Sequence, residues 1–132
     1  MNCIKLLFLM ISILFLTGCS NTLKCNVETK SYSSKIKIVF KNNKPKKYIL
    51  KDIREFNIYD KDLNNYYKNK KKEYISLIAI ENAKIFKGKD YVLSKINYDF
   101  NSDIKCDFIL IDKDDNLAKS IEKIESSGYI CN

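Results

Sequence analysis

An apolar run near the start of the chain limits the length of sequence that is available to a folded domain. Lys5 precedes the run from Leu6 to Leu16, in which only Ser12 is polar. Such a pattern is typical of a secretory signal, and the run is too short to span a bilayer. Removing residues 1–18 from the 132-residue chain would leave 114 residues, enough for one domain with a single core and too few for two. The formal charge would fall from +8 to +7, because Lys5 is the one charged residue removed.

The apolar run ends in Leu16-Thr17-Gly18-Cys19, which closely resembles the bacterial lipobox. Small residues at positions 17 and 18 allow an extended approach to a peptidase, and the Cys19 thiol is the nucleophile that accepts a diacylglyceryl group. We therefore predict signal cleavage between Gly18 and Cys19, lipid on Cys19, and a location on the extracytoplasmic face of the cell membrane. Two acyl chains anchor a protein stably, whereas one is marginal. The alternative is an ordinary signal peptide or uncleaved anchor that ends in cysteine.

We divide the chain into a signal peptide (residues 1–18), a lipidated N-terminus with a short linker (19–22) and one domain (23–132). Alternating apolar and polar residues predict a strand over residues 35–40. We also predict a first strand over residues 23–31 and a third over residues 45–56, which Pro45 begins. Lys41-Asn42-Asn43-Lys44 predicts the turn between the second and third.

Helical spacing predicts a long helix from Leu63 to Ile85, capped by Asp60 and stopped by Gly88. Alternation then predicts strands over residues 96–100 and 104–110. A short final helix has the apolar residues Leu117, Ile121 and Ile124, with Asp115 as its N-cap and Gly128 at its C-terminal end. We therefore predict an α+β fold: an antiparallel sheet of about five strands with two helices packed on one face, in the order βββαββα.

Several motifs resemble the YehR-like small lipoproteins, in the form found in low-GC Gram-positive bacteria. The motifs are Leu16-Thr17-Gly18-Cys19, Thr22-Leu23-Lys24-Cys25, Phe40-Lys41-Asn42-Asn43-Lys44 and Ser127-Gly128-Tyr129-Ile130-Cys131-Asn132. The resemblance implies a lipid-anchored α+β domain with one cysteine just after the anchor and another beside the C-terminus. It implies no activity.

Three cysteines remain after Cys3 is removed with the signal and Cys19 is acylated, and an oxidising compartment allows one bridge among them. The resemblance implies that Cys25 pairs with Cys131, and a pairing of Cys25 with Cys106 stays open. Cys106 has no counterpart in the family pattern. It alternates with Ile104 and Phe108, so we predict a buried free thiol there.

Motifs for catalysis are lacking, so we predict a non-enzyme without cofactor or metal. The sequence has no His, no Cys-x-x-Cys pair and no Gly-rich phosphate loop. Paired carboxylates such as Asp60 and Asp62 are too common to indicate a site. The stretch from Asp112 to Asn116 resembles part of a calcium loop, but Leu117 and Lys123 occupy the positions of the required glycine and glutamate. We interpret it as a turn that begins a helix.

The other candidate surfaces are aromatic and basic. Tyr66, Tyr67 and Tyr74 could form a binding platform, although at helical spacing we expect packing residues. The most basic stretches contain Lys44, Lys46 and Lys47, and Lys68, Lys70, Lys71 and Lys72. Solvated surface is their simplest interpretation, and an anionic lipid or wall polymer is a possible partner. We expect no nucleic-acid partner and a monomer. Two functions remain open: an accessory or binding lipoprotein of the cell envelope, and a structural surface lipoprotein without a specific ligand.

Overall fold

Six strands and two helices make up the fold in the computed structural model, which describes residues 20–57 and 62–132. The strands are β1 (Ser20–Glu28), β2 (Tyr32–Lys41), β3 (Lys44–Glu55), β4 (Ala83–Lys87), β5 (Tyr91–Asp99) and β6 (Ile130–Cys131). The helices are α1 (Asp62–Ala79) and α2 (Leu117–Ser126). This is an α+β fold with one antiparallel sheet, as predicted, but with six strands instead of about five and in the order βββαββαβ instead of βββαββα. The predicted cap Asp60 lies outside the described residues.

The strands form a single sheet in the order β4-β5-β3-β2-β1-β6. The first three strands follow one another along the chain and in the sheet, because each is joined to the next by a short connection. Asn42 and Asn43, between β2 and β3, both have positive φ angles of 54° and 59°. This pair of left-handed residues is the geometry of a tight hairpin turn, and asparagine tolerates it better than most residues. The predicted turn at this position is confirmed.

One face of the sheet carries the core. Ile36, Ile38 and Leu50 are buried on that face and cluster with Tyr74 of α1 and Ile124 of α2. Residues one position away along β2 and β3 are exposed or half-buried, which is the period-2 pattern of a sheet covered on one side. The two helices therefore contribute to the same core on the same face.

The long helix ends earlier than predicted. α1 stops at Ala79, where the amides of Glu81 and Asn82 donate to the carbonyls of Ile78 and Leu77. Glu81 has a φ of 61°, which turns the chain out of the helix. The residues that follow form β4 and pair with β5, because the apolar residues there fit period 2 as well as helical spacing.

Gly88 lies in the β4–β5 hairpin, so the prediction that it stops the long helix is wrong. Its amide donates to the carbonyl of Tyr91 at 2.8 Å. A Cβ atom at Gly88 would overlap the ring of Tyr91, so a side chain at this position would require the exposed Tyr91 ring to move.

The strand predicted over residues 104–110 is absent, and this stretch is irregular. Ile104, Phe108 and Leu110 still pack against the core, and the Tyr98 hydroxyl donates to the Ile104 carbonyl at 2.9 Å. The reason lies in the sheet: β5 is already hydrogen-bonded to β3 on one side and β4 on the other. No edge of β5 is left for a hairpin partner, so alternation alone misled the prediction.

The second helix begins one residue later than predicted. Asn116, not Asp115, is its N-cap, and the Asn116 side chain accepts from the Lys119 amide at 2.8 Å. Asp115 instead closes the preceding turn by accepting from the Asp112 amide at 2.9 Å. Gly128 follows the helix with a φ of 98°, so the predicted left-handed residue is confirmed.

The two ends of the described chain meet at one side of the sheet. β6, which the sequence did not predict, pairs with β1, and Cys131 lies directly opposite Cys25. The structure joins these two cysteines by a disulfide and leaves Cys106 free. β1 includes Ser20, Asn21 and Thr22, which the sequence analysis assigned to a linker.

Candidate functional site

The predicted lipid-attachment residue, Cys19, and the cleavage position at Gly18 lie outside the described residues. Ser20, the next residue, is already the first residue of β1 and pairs with Lys41. Among the described helices, neither is both long enough and apolar enough to cross a bilayer. The sheet therefore follows the predicted anchor without an intervening loop.

Cys106 lies in the irregular segment, not in a strand as predicted, and is half-buried. Burial raises the pKa of its thiol, while contacts with the Phe108 and Ile109 backbone oppose the rise. A raised pKa lowers the fraction of reactive thiolate at neutral pH. These properties fit an inert packing residue.

The carboxylates of the turn from Asp112 to Asn116 are paired with a lysine of α2. Lys123 Nζ lies 2.5 Å from Asp115 Oδ2 and 3.1 Å from Asp112 Oδ2. Burial alone would raise the pKa of Asp115, but the Asp112 amide and Lys123 together lower it. No group of three or more possible metal-ligating side chains occurs in residues 20–57 and 62–132. The Lys123 ammonium group thus compensates the negative charge of two carboxylates of this turn.

The three candidate tyrosines of α1 do not form one platform. Tyr74 is buried, and its ring meets Phe108 at a centroid distance of 4.5 Å. Tyr66 packs on Phe56, whereas Tyr67 lies under the ammonium groups of two lysines, Lys71 and Lys87. Each ring has its own packing role.

The basic stretches singled out in the sequence are dispersed in the structure. Lys70 on α1 is 3.4 Å from Glu73 and lies over the Tyr74 ring. Lys44, Lys46 and Lys47 lie at the start of β3, where a register shift against β2 leaves Lys46 unpaired and interrupts the alternation of buried and exposed residues. Of these three, Lys47 belongs to the larger basic surface described below.

A buried carboxyl lies within the covered face of the sheet. Asp52 is 7% exposed, with Ser34 and Ser94 as its direct neighbours across the strands. Within residues 20–57 and 62–132, its Oδ1 atom has no hydrogen-bond partner. Burial raises the pKa of Asp52, and the nearby Ser34 hydroxyl and Lys70 ammonium only partly oppose this. Burial, and then the charge of Asp52, raise the pKa of Tyr32 to about 12.

The opposite face of the sheet concentrates exposed lysines. Besides Lys41 at the end of β2 and its cross-strand partner Lys44, alternate positions on five strands place seven exposed lysines on this face, which we call the lysine face: Lys24, Lys35, Lys37, Lys47, Lys51, Lys84 and Lys95. Four of them are direct cross-strand neighbours in one line, which we call the lysine row: Lys35, Lys51, Lys95 and Lys84. With adjacent strands about 4.8 Å apart, three intervals make this row roughly 14 Å long.

Like charges directly opposite each other on a sheet are destabilising. None of the ion pairs within the described residues involves the lysine face; they join lysines 70, 119 and 123 to carboxylates elsewhere. The acidic residues on this face, Glu28, Glu55 and Asp99, are each the last residue of their strand. The centre of the face therefore holds uncompensated positive charge.

A shallow concavity of about 490 Å³ opens at the centre of this face. Lysines make up half of the residues that line it, and the half-buried side chain of Ile49 contributes apolar surface. Asn26 and Asn132 add polar groups at the β1 side. The arrangement can hold an anionic group among several ammonium groups, with apolar surface beneath it.

Sequence reasoning recognised exposed positions at Lys35 and Lys37 but missed the wider surface. Lys24, Lys51, Lys84 and Lys95 belong to four other strands, and only the register brings them together. The signal that could have found them is that each of these lysines lies one position away from a buried residue of its own strand.

Comparison with family models found no match, and comparison with curated proteins found none either. A solved structure, an NMR structure of a protein from Streptococcus pneumoniae TIGR4, has a TM-score of 0.47 to this chain at 12% sequence identity. The alignment covers 85% of this chain and 86% of that one. Similarity at this level carries no argument about function.

Proposed function

We propose that this chain is a lipid-anchored, extracytoplasmic protein of the cell envelope with an accessory or binding role. The observation that supports the location is the disulfide between Cys25 and Cys131. Disulfides persist in oxidising compartments and are rare where the cytosol keeps thiols reduced. The lipobox-like residues from Leu16 to Cys19 supply the matching export and anchoring signal. The resemblance to YehR-like lipoproteins belongs to the same proposal.

A binding role is favoured over a purely structural one by the distribution of charge. A structural coat needs only an evenly solvated surface, whereas the lysine face gathers seven cations without a central acidic residue. Placing lysines directly opposite one another costs stability, so a surface that keeps them favours an anionic ligand.

The anchor is tested by growing cells that express the whole chain with a radiolabelled fatty acid. The wild-type protein should carry label and enter the detergent phase, and Cys19→Ala should abolish both. Cys106→Ala is the matched control, because it removes a thiol that takes no part in anchoring. Label that persists in Cys19→Ala, or label absent from the wild type, would contradict the proposal.

A further inference from the structure

We propose that the lysine face binds a linear, phosphate-bearing polyanion that runs across the strands along the lysine row. This deepens the proposed function, on which it rests for the extracytoplasmic location of the ligand. The geometry points to a linear partner because the four lysines stand in one line across four neighbouring strands. Their spacing, about 4.8 Å between strands, provides a nearly continuous strip of positive charge.

The composition of the strip suits a flexible chain of repeating phosphates. Lysine ammonium is a compact point charge that binds phosphate without a fixed orientation, whereas the planar fork of arginine would fix the orientation of a phosphate or a carboxylate. The lysine face contains no arginine. A flexible chain of repeating phosphates can therefore meet successive ammonium groups without exact alignment.

The shape of the face favours a polymer over a flat membrane surface. The 490 Å³ concavity lies among the lysines, with Ile49 in its lining. A planar bilayer would leave this space unfilled, whereas a single polymer chain can enter it. The lysine row also lies at a distance from the start of β1. Lys35 pairs with Asn26, which follows Ser20 by six residues, or roughly 20 Å of extended strand. A chain anchored just before Ser20 can thus hold the row beyond the lipid headgroups.

The test uses protein purified in neutral detergent from cells that express the whole chain, with linear inorganic polyphosphate as the probe. The row variant changes all four lysines to glutamine: Lys35→Gln, Lys51→Gln, Lys84→Gln and Lys95→Gln. The control variant removes the same charge from exposed lysines elsewhere: Lys68→Gln, Lys72→Gln, Lys105→Gln and Lys113→Gln. Affinity is measured by titration calorimetry at several salt concentrations.

We expect wild-type binding that weakens as salt rises, because condensed counterions are released from the polymer. Each lysine near an anionic surface contributes about 1 kcal/mol, or roughly fivefold in affinity. The row variant should therefore bind at least about 100-fold more weakly at low salt, whereas the control should change by about twofold. Equal losses in both variants would overturn the proposal, since they would reflect net charge alone.

A second measurement keeps the test decisive if the row variant folds poorly. Lysines of the wild-type protein are acetylated with and without polyphosphate, and the modified positions are identified by mass spectrometry. Protection should concentrate on the lysine row and spare Lys68 and Lys72. Protection by vesicles of anionic phospholipid, with none by polyphosphate, would overturn the proposal in favour of a membrane surface. These results do not depend on fatty-acid labelling, so failure of the anchor and failure of the binding face are distinguishable.

Discussion

Cys131 lies directly opposite Cys25 in the short ladder between β6 and β1, and a disulfide joins them across 106 positions of sequence. The bond fixes the C-terminal tail to a central part of the first strand. Chain termini commonly fray, and this link restrains the last residues of the chain.

We predict that Cys25→Ser or Cys131→Ser lowers the free energy of unfolding by about 2 to 5 kcal/mol, because the unfolded chain regains the entropy of a long open loop. Urea denaturation measures the change. Cys106→Ala is the control and should cost less, since Cys106 is half-buried and unbridged. Peptide mapping of the unreduced protein should link Cys25 to Cys131; a bridge that contains Cys106 would contradict the structure.

Gly128 should be sensitive to substitution for a purely conformational reason. Its φ of 98° is unfavourable for residues with a side chain, yet a Cβ atom there would meet nothing within 4 Å. We predict that Gly128→Ala destabilises the protein by about 1 kcal/mol, and that Gly128→Asn costs less because asparagine tolerates left-handed backbone. Thermal or urea unfolding compares the two variants. Equal costs would show that backbone strain is not the cause.

The buried carboxyl group of Asp52 should make the free energy of unfolding fall as pH rises above the pKa that this group has in the unfolded chain. Burial raises its folded pKa above the usual 3.8, so between the two pKa values the folded state binds more protons than the unfolded state. Stability then decreases with rising pH across that interval. We predict that Asp52→Asn unfolds at higher urea concentration than the wild type at pH 7, and that the difference disappears below pH of about 3.5.

The pKa of Asp115 is shifted in the opposite direction, so the variant Asp115→Asn is the control for this pH series. Its lowered pKa stabilises the fold above the unfolded pKa, and this contribution is lost as pH falls through the folded value. Asp115→Asn should therefore be less stable than the wild type at pH 7. A gain in stability for Asp115→Asn, or a loss for Asp52→Asn, would contradict the assigned directions.

Local patterns in the sequence determined β2, β3, the turn between them and the C-terminal end of the last helix. Alternation predicted β2 and β3, and Asn42-Asn43 predicted their turn, because both depend on neighbours close in sequence. The left-handed backbone conformation of Gly128 was also predictable, because the residue that follows a helix often adopts it for local reasons.

Tertiary structure decided the rest, because the deciding contacts join distant residues. Ile85 fits a helix or a strand, and pairing of Ile85 with Ser94 makes it a strand. The segment around Cys106 alternates like a strand, yet β5, the strand that precedes it, is paired on both sides and has no free edge for it to join. The lysine row depends in the same way on cross-strand register: each strand shows which lysines are exposed, but only hydrogen bonding between strands places Lys51 beside Lys95.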